Sequence, residues 1–116
     1  MADSLHPVLS VRLFTDRKCF GPGVATLLHR VETCHSMRAA AASMEMAYSK
    51  AWTIIRNAED CLGYKLLISS TGGRHGGGAS LTPEAVRLLA AYDDYCVRLR
   101  ACAEQLFAEC FKEEDA

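Results

Sequence analysis

The sequence predicts a mainly α-helical chain carrying one small two-stranded β element. Three observations carry that prediction. Residues 36–63, SMRAAAASMEMAYSKAWTIIRNAEDCLG, read as two helices separated by a very short turn. A glycine-rich stretch at residues 72–78 has a strand-like segment on each side. From Ala85 to Cys110 an apolar or small residue recurs at alternating spacings of four and three, the period of a long helix with one seam.

In chain order, residues 8–14 (VLSVRLF) are rich in β-formers. Leu9, Val11 and Leu13 alternate with Ser10 and Arg12, so a strand with one buried face is expected. Residues 15–18 form a polar turn. Gly21-Pro22-Gly23 breaks the chain ahead of a helix whose apolar stripe is Val24, Leu27, Leu28 and Val31, ending at residues 33–35. Ser36 caps the next helix, and alanines at 39, 40, 41 and 42 allow a second helix to approach closely. Residues 44–46 make the turn, and a longer helix starts near Ala47. Its Ala51, Ile54, Ile55, Ala58 and Leu62 fall on one stripe; Ser49, Lys50, Thr53, Arg56 and Asn57 lie opposite. Gly63 stops it.

Residues 65–71 and 79–81 read as two strands around the glycine stretch, with Arg74 and His75 at its tip. The phosphate-cradling pattern GxxxxGK[ST] is absent there. Thr82-Pro83-Glu84 is a strong helix start: a capping hydroxyl, a proline in the first turn and a carboxylate at the positive end of the helix. That helix is expected to run to about Lys112. Its heptad seam has Leu89, Cys96, Ala103 and Cys110 at one core position and Ala85, Tyr92, Leu99 and Leu106 at the other. A small domain cannot bury such a seam along its whole length, which points to a dimerisation helix.

A short alanine-rich helix, a tight turn and a longer helix with a polar, partly basic outer face are the parts of a helix-turn-helix. Two strands with a basic tip directly after it make a winged helix. The expected architecture is therefore a winged helix-turn-helix over residues 1–81 and a C-terminal dimerisation helix with an acidic tail over residues 82–116.

At 116 residues the chain suits one core, and half of its residues are hydrophobic, which excludes a disordered chain. No apolar run reaches the length of a membrane span, and the first residues lack a signal-peptide pattern, so the expected location is the cytoplasm. The net charge of −1 is unevenly distributed. Residues 1–80 hold nine Lys/Arg against six Asp/Glu, a balance of +3, and residues 81–116 hold four against eight, a balance of −4. The basic groups accompany the helix-turn-helix, as a module facing nucleic acid requires. The six cysteines, 19, 34, 61, 96, 102 and 110, form no CxxC pair and are expected as thiols acting as small hydrophobes. For Cys96, Cys102 and Cys110 an interchain disulfide or redox switch is the alternative. His29, Cys34 and His35 match no zinc spacing, and no metal or cofactor is expected.

SMRAAAASMEMAYSKAW followed by STGGRHGGGASLTPEA resembles the N-terminal DNA-binding domain of the molybdate-responsive ModE regulators, which are related to LysR-type regulators. The likeness covers roughly residues 7–95, with the GPG, AAA, YxxAW and STGG–GGG–LTP elements in family order. It implies a bacterial winged-helix homodimer that binds double-stranded operator DNA and regulates transcription, the first helix (Leu27, Leu28) and the long helix (Leu89, Tyr92, Cys96, Leu99, Ala103, Leu106) building the dimer. The family usually has Gly in the turn and Ser at the start of the second helix, where this chain has Glu45 and Ala47. Nothing in the sequence resembles an oxyanion pocket, so molybdate binding is not carried over.

On this reading Tyr48, Ser49 and Lys50 lie where side chains reach base edges. Thr53 and Arg56 share that face, with Arg56 expected on phosphate. Ser36 and Arg38 are phosphate candidates at the start of the preceding helix, and Arg74 and His75 should meet an adjacent groove or backbone. Trp52 is expected to pack between the helix and the wing base. An enzyme is not expected, since His6, His29, His35 and His75 have no partner constellation. The competing class is a helix-mediated interaction module whose DNA-binding surface is vestigial.

Overall fold

A computed structural model of the protein describes residues 4–70 and 78–112. The chain order is β1 (Leu13–Phe14), β2 (Lys18–Phe20), α1 (Pro22–Cys34), α2 (Met37–Ser43), α3 (Tyr48–Leu62), β3 (Leu67–Ser70), β4 (Gly78–Leu81) and α4 (Pro83–Cys110). This is the winged helix-turn-helix with a long C-terminal helix that the sequence predicts.

The N-terminal strand is the main departure. Pairing is confined to Leu13–Phe14, antiparallel to Lys18–Phe20, and the register shifts between Leu13 and Phe14. Residues 8–12 have no partner strand, and Val8 is 85 % exposed. Of the expected buried face, Val11 and Leu13 pack against the core, but Leu9 is 43 % exposed, because its stretch has no partner strand to hold it inward. Lys18, expected in the turn, opens β2 and sends Cys19 and Phe20 inward.

The helix boundaries follow the local signals. Pro22 starts α1, and His35 ends it in the left-handed conformation (φ 58°), its N–H donating to the Val31 carbonyl at 2.7 Å. The Ser36 hydroxyl accepts from the Ala39 N–H at 3.1 Å and caps α2. Gly63 takes φ 86° at the end of α3, a conformation glycine adopts without steric cost. The Thr82 hydroxyl accepts from the Ala85 N–H at 3.1 Å and donates to the Lys65 carbonyl at 2.8 Å, so one side chain both caps α4 and ties it to the wing.

The core lies between α1, α2 and α3. Leu27, Leu28, Val31, Ala40, Ala41, Ala51 and Ile55 are all buried, and the alanines let the helices approach closely. The wing strands pair in antiparallel register from Leu67–Leu81 to Ser70–Gly78. The wing rests on the end of α1: the Ala79 N–H donates to the His35 carbonyl at 3.1 Å. A Cβ at Gly78 would meet that same oxygen at 3.1 Å and the Ser70 hydroxyl at 3.2 Å.

The long helix divides into two parts. Ala85, Leu89 and Tyr92 are buried in the domain core, and Cys96 packs partly against it. Tyr92 meets Phe20 edge-on at 5.0 Å and donates its phenol proton to the Val11 carbonyl at 2.7 Å. Leu99 and Arg100 still line a cavity with Leu9, Val11 and Pro22, and beyond them the helix runs out of the domain, along the molecule's 68 Å long axis. The expected dimer contacts are corrected accordingly. Leu27 and Leu28 have no exposed surface, and Leu89 and Tyr92 are buried within their own chain, so none of the four can meet a partner without dismantling the core. They are apolar because three helices and the wing pack on them. No helix among the described residues is long and apolar enough to cross a membrane.

Burial, with a hydrogen bond and charge from Cys96 and the charge of Asp93 acting in the same direction, pushes the Tyr92 phenol up to about 12, against the opposing Arg12 charge. The neutral phenol is therefore the form the fold favours. The stability it contributes is full below its unfolded value near 10 and is lost as pH rises from there toward 12. Wild type should exceed Tyr92→Phe by about 1 kcal/mol in urea denaturation at pH 8, and that margin should shrink between pH 10 and 12.

Candidate nucleic-acid interface

Burying Ala51, Ile55 and Ala58 turns the opposite face of α3 outward, because residues three and four apart share a face. Tyr48, Ser49, Lys50, Thr53, Arg56 and Asn57 are all exposed there. No side chain caps α3: its N-cap position is Ala47. The turn before it places Glu45 at φ 52°. That is the left-handed region in which glycine is unstrained and other residues cost about 1 kcal/mol. The two departures noted in the sequence thus fall on the two positions where backbone geometry favours the family residues.

Arg38, at the start of α2, stacks its guanidinium over the Tyr48 ring at 4.3 Å. Tyr48 meets Trp52 edge-on at 6.5 Å, and Arg56 lies 5.5 Å from the Trp52 ring centre. Arg38, Tyr48, Trp52 and Arg56 thus form one ridge along the α2–α3 surface, and the rings orient both guanidinium groups. Among the described residues, Arg38, Lys50 and Arg56 form no ion pair with a carboxylate, so their charge is available to a phosphate. The Thr53 hydroxyl donates to the Ser49 carbonyl at 3.0 Å, leaving it an acceptor toward a ligand. Ser36 uses its oxygen as a cap and retains its proton to donate.

An open groove of about 830 Å³ runs between α3 and the base of the wing, lined by Tyr48, Trp52, Arg56, Lys65, Ile68 and Ser69 among others. Trp52, expected to pack between helix and wing base, lines this groove instead, against Tyr48 and Arg56 of its own helix. Arg74 and His75 lie outside the described residues.

Sequence reasoning missed Glu59. Its carboxylate is only 10 % exposed and accepts from the Leu66 N–H at 2.8 Å and the Leu67 N–H at 3.4 Å, with Lys65 Nζ at 3.7 Å. This fastens α3 to β3 and sets where the wing stands beside the helix. The partner is a backbone N–H seven residues on, a contact with no signature in the sequence. Sequence reasoning also missed a pairing of cysteines. Cys19 and Cys61 form a disulfide with Cα atoms 5.3 Å apart, which corrects the expectation of free thiols at these two positions. Their separation of 42 residues follows no spacing rule, and only folding brings β2 against the last turn of α3. Cys34, Cys96, Cys102 and Cys110 are free.

His29 does not join Cys34 and His35. Its Nε2 lies 2.7 Å from an Asp93 carboxylate oxygen, linking α1 to α4, and its Nδ1 is 3.6 Å from Glu32. Among the described residues no group of three or more His, Cys, Asp and Glu side chains could hold a metal ion.

Two packed helices, an outward polar third helix and a flanking two-stranded wing define a regulatory helix-turn-helix domain of the winged class. Residues 25–86 match the bacterial regulatory helix-turn-helix proteins of the lysR family, and the chain belongs to that family. Within it, the domain is similar to the helix-turn-helix of ModE-type regulators. It is 36 % identical over 72 residues to the transcriptional regulator ModE of Haemophilus influenzae, a stretch covering 62 % of this chain and 28 % of that protein. It is 36 % identical over 66 residues to the molybdenum transport protein ModE of Herbaspirillum seropedicae, and 35 % identical over 66 residues to the molybdenum-pterin-binding protein MopB of Rhodobacter capsulatus. Each of these two matches covers 57 % of this chain and 24 % of the relative. The chain spans about a quarter of the length of the curated relatives it matches.

Replacing Glu59 by Ala removes a charged acceptor and leaves the Leu66 N–H unpaired. The loss should be about 1.5–3 kcal/mol of stability in urea denaturation. Amide exchange at Leu66 and Leu67 should accelerate with it.

Proposed function

We propose that the protein is a sequence-specific DNA-binding transcriptional regulator that reads double-stranded DNA in the major groove with the first turns of α3. The observation that carries this reading is the exposed Ser49–Lys50 pair at the start of a helix whose opposite face buries Ala51, Ile55 and Ala58. Ser49 and Lys50 donate to base edges; Tyr48 and Thr53 flank them. Arg38, Arg56 and Ser36 contact phosphates on either side and set the register. Arg74 and His75, on sequence grounds, reach the adjacent groove or backbone. Access to DNA puts the protein in the cytoplasm of a bacterium. No catalytic role is assigned: among the described residues the histidine with a carboxylate partner is His29, and that pair belongs to the α1–α4 contact. The names of the relatives connect those proteins to molybdenum; the likeness to this chain lies in the helix-turn-helix, and no oxyanion effector is assigned here.

The protein works as a homodimer through the part of α4 that leaves the domain. Ala91, Tyr95, Leu99, Cys102 and Leu106 recur at i, i+4, i+8, i+11 and i+15 and form one flank of the helix. Tyr95 and Leu106 are 54 % and 55 % exposed. Cys96 and Ala103 border this flank on the side of the original heptad seam. Residues 1–81 then supply the DNA surface and residues 82–116 the pairing surface, with the first turns of α4 shared between them. The exposed flank is also what a helix-mediated interaction module would present to another protein, and the two readings separate on DNA binding.

Selection from a random duplex pool at two salt concentrations should retain a two-fold symmetric site. No enrichment from a folded dimer would favour the interaction module. Lys50→Ala should weaken binding about tenfold or more and change the base preferred at one position in each half-site. A phosphate contact alone would lower the salt slope by about 0.9 and leave preference unchanged. Leu106→Glu places a charge on the free flank without touching the core. It should raise the dimer dissociation constant at least about tenfold in sedimentation equilibrium, and an unchanged constant would move the interface elsewhere.

A further inference from the structure

The Cys19–Cys61 pair sits at the junction of the N-terminal hairpin and α3, outside the proposed DNA surface but on the same helix. Cys19 is buried in β2, and Cys61, in the last turn of α3, is half-buried and therefore the more accessible sulfur. A polar shell surrounds the two. The Thr15 hydroxyl oxygen lies 3.5 Å from the Cys19 sulfur and 3.3 Å from the Cys61 sulfur. The Arg17 carbonyl lies 3.6 Å from the first and 3.7 Å from the second. Either sulfur therefore has an acceptor waiting when it carries a proton, so the site accommodates the reduced state as well as the bonded one. Beside it, Arg17 pairs with Asp60 at 2.7 Å. That ion pair spans the same two elements but is solvent-exposed at both ends, and exposed pairs hold weakly.

We propose that Cys19 and Cys61 form a reversible redox site that fastens the C-terminal turn of α3 to the N-terminal hairpin, and that the oxidised form is the better DNA binder. The second clause rests on the reading of α3 as the DNA-contacting helix. In the forward direction the Cys61 thiolate attacks one sulfur of a small-molecule disulfide. It forms a mixed disulfide and releases one thiolate. The Cys19 thiolate then attacks the Cys61 sulfur, forming the Cys19–Cys61 bond and releasing the second thiolate. Two electrons pass to the small disulfide, and the two protein thiols give up their protons. A dithiol reverses both steps. The consequence for α3 follows from what else holds its end. Glu59 ties the same turn to β3. With the disulfide closed, the turn is held from the N-terminal hairpin and the wing together. With it open, the buried Ala58, Leu62 packed against the core, Glu59 and one exposed ion pair remain, and the link to β2 is the one that is lost. A helix end with more freedom populates the groove-competent orientation less, and apparent affinity falls by that fraction.

The test uses the unmodified chain in two states, reduced with dithiothreitol and oxidised with glutathione disulfide. Differential alkylation with peptide mass mapping should find Cys19 joined to Cys61 only in the oxidised sample. Closing a loop of this length should raise the melting temperature by about 10 °C. Affinity for the duplex recovered from the random pool should fall at least about threefold on reduction. Cys61→Ser should abolish both responses, and the double variant of the exposed Cys102→Ser and Cys110→Ser should retain them. Absence of the joined peptide after oxidation would overturn the proposal, as would equal melting in the two states. Equal DNA affinity in states that melt differently would overturn the link to binding. A protein that melts differently yet binds no duplex in either state would overturn the DNA reading of α3 itself and leave the redox site standing.

Discussion

The rest of the structure depends on the burial of one narrow stripe, Ala51, Ile55 and Ala58, against α1 and α2. The alanines on this stripe and at 40 and 41 of α2 bring the helix axes close, and Ile55, Leu27, Leu28 and Val31 fill the space that remains. Close packing of this kind leaves little rotational freedom, because turning α3 by one residue toward Lys50 would bury that charge and expose Ile55. The chemistry of the outward face is thereby set by the inward one. Ser49 and Lys50 point away from the domain because Ala51 and Ile55 cannot.

That rotation is locked at the other end of α3, where several devices converge within five residues. Gly63 reverses the chain, Glu59 receives the backbone of the following strand, and Cys61 joins β2. The wing is then held from its other side by Thr82, which donates to the Lys65 carbonyl while capping α4, and by the His35 carbonyl, which receives the Ala79 N–H. The groove between α3 and the wing has a defined width because its walls are fastened by the mostly buried Glu59 and Thr82 side chains bonding to backbone groups and by the backbone bond from Ala79 to His35. The ridge from Arg38 to Arg56 runs along this groove with its guanidinium groups already oriented by Tyr48 and Trp52. Less ordering entropy then remains to be lost when a phosphate arrives.

The long helix shows how one heptad pattern can serve two environments. Its first turns are core: Ala85, Leu89 and Tyr92 complete the hydrophobic interior, and Tyr92 reaches back to Val11 to hold the unpaired N-terminal segment. Its later turns have the same period but no domain beneath them. There the exposed apolar residues shift to a neighbouring flank that includes Tyr95 and Cys102. The change occurs between Cys96 and Arg100, where the globular part ends.

Residues and spacing by themselves determined the order of elements, the four helices, the wing strands and the outward face of α3. These rest on local physics, namely a capping hydroxyl at Ser36 and Thr82, a proline at Pro22 and Pro83, a left-handed glycine at Gly63 and a 3.6-residue apolar period. Each acts within a few positions of itself. Only the tertiary structure decided that residues 8–12 would go unpaired, that Cys19 would meet Cys61, that Glu59 would brace the wing and that Leu27, Leu28, Leu89 and Tyr92 would be core. The physical reason is the same in each case. The partner lies on another element or is missing altogether, and whether a strand finds a neighbour, a carboxylate an amide or a leucine an interior is settled only when distant segments pack.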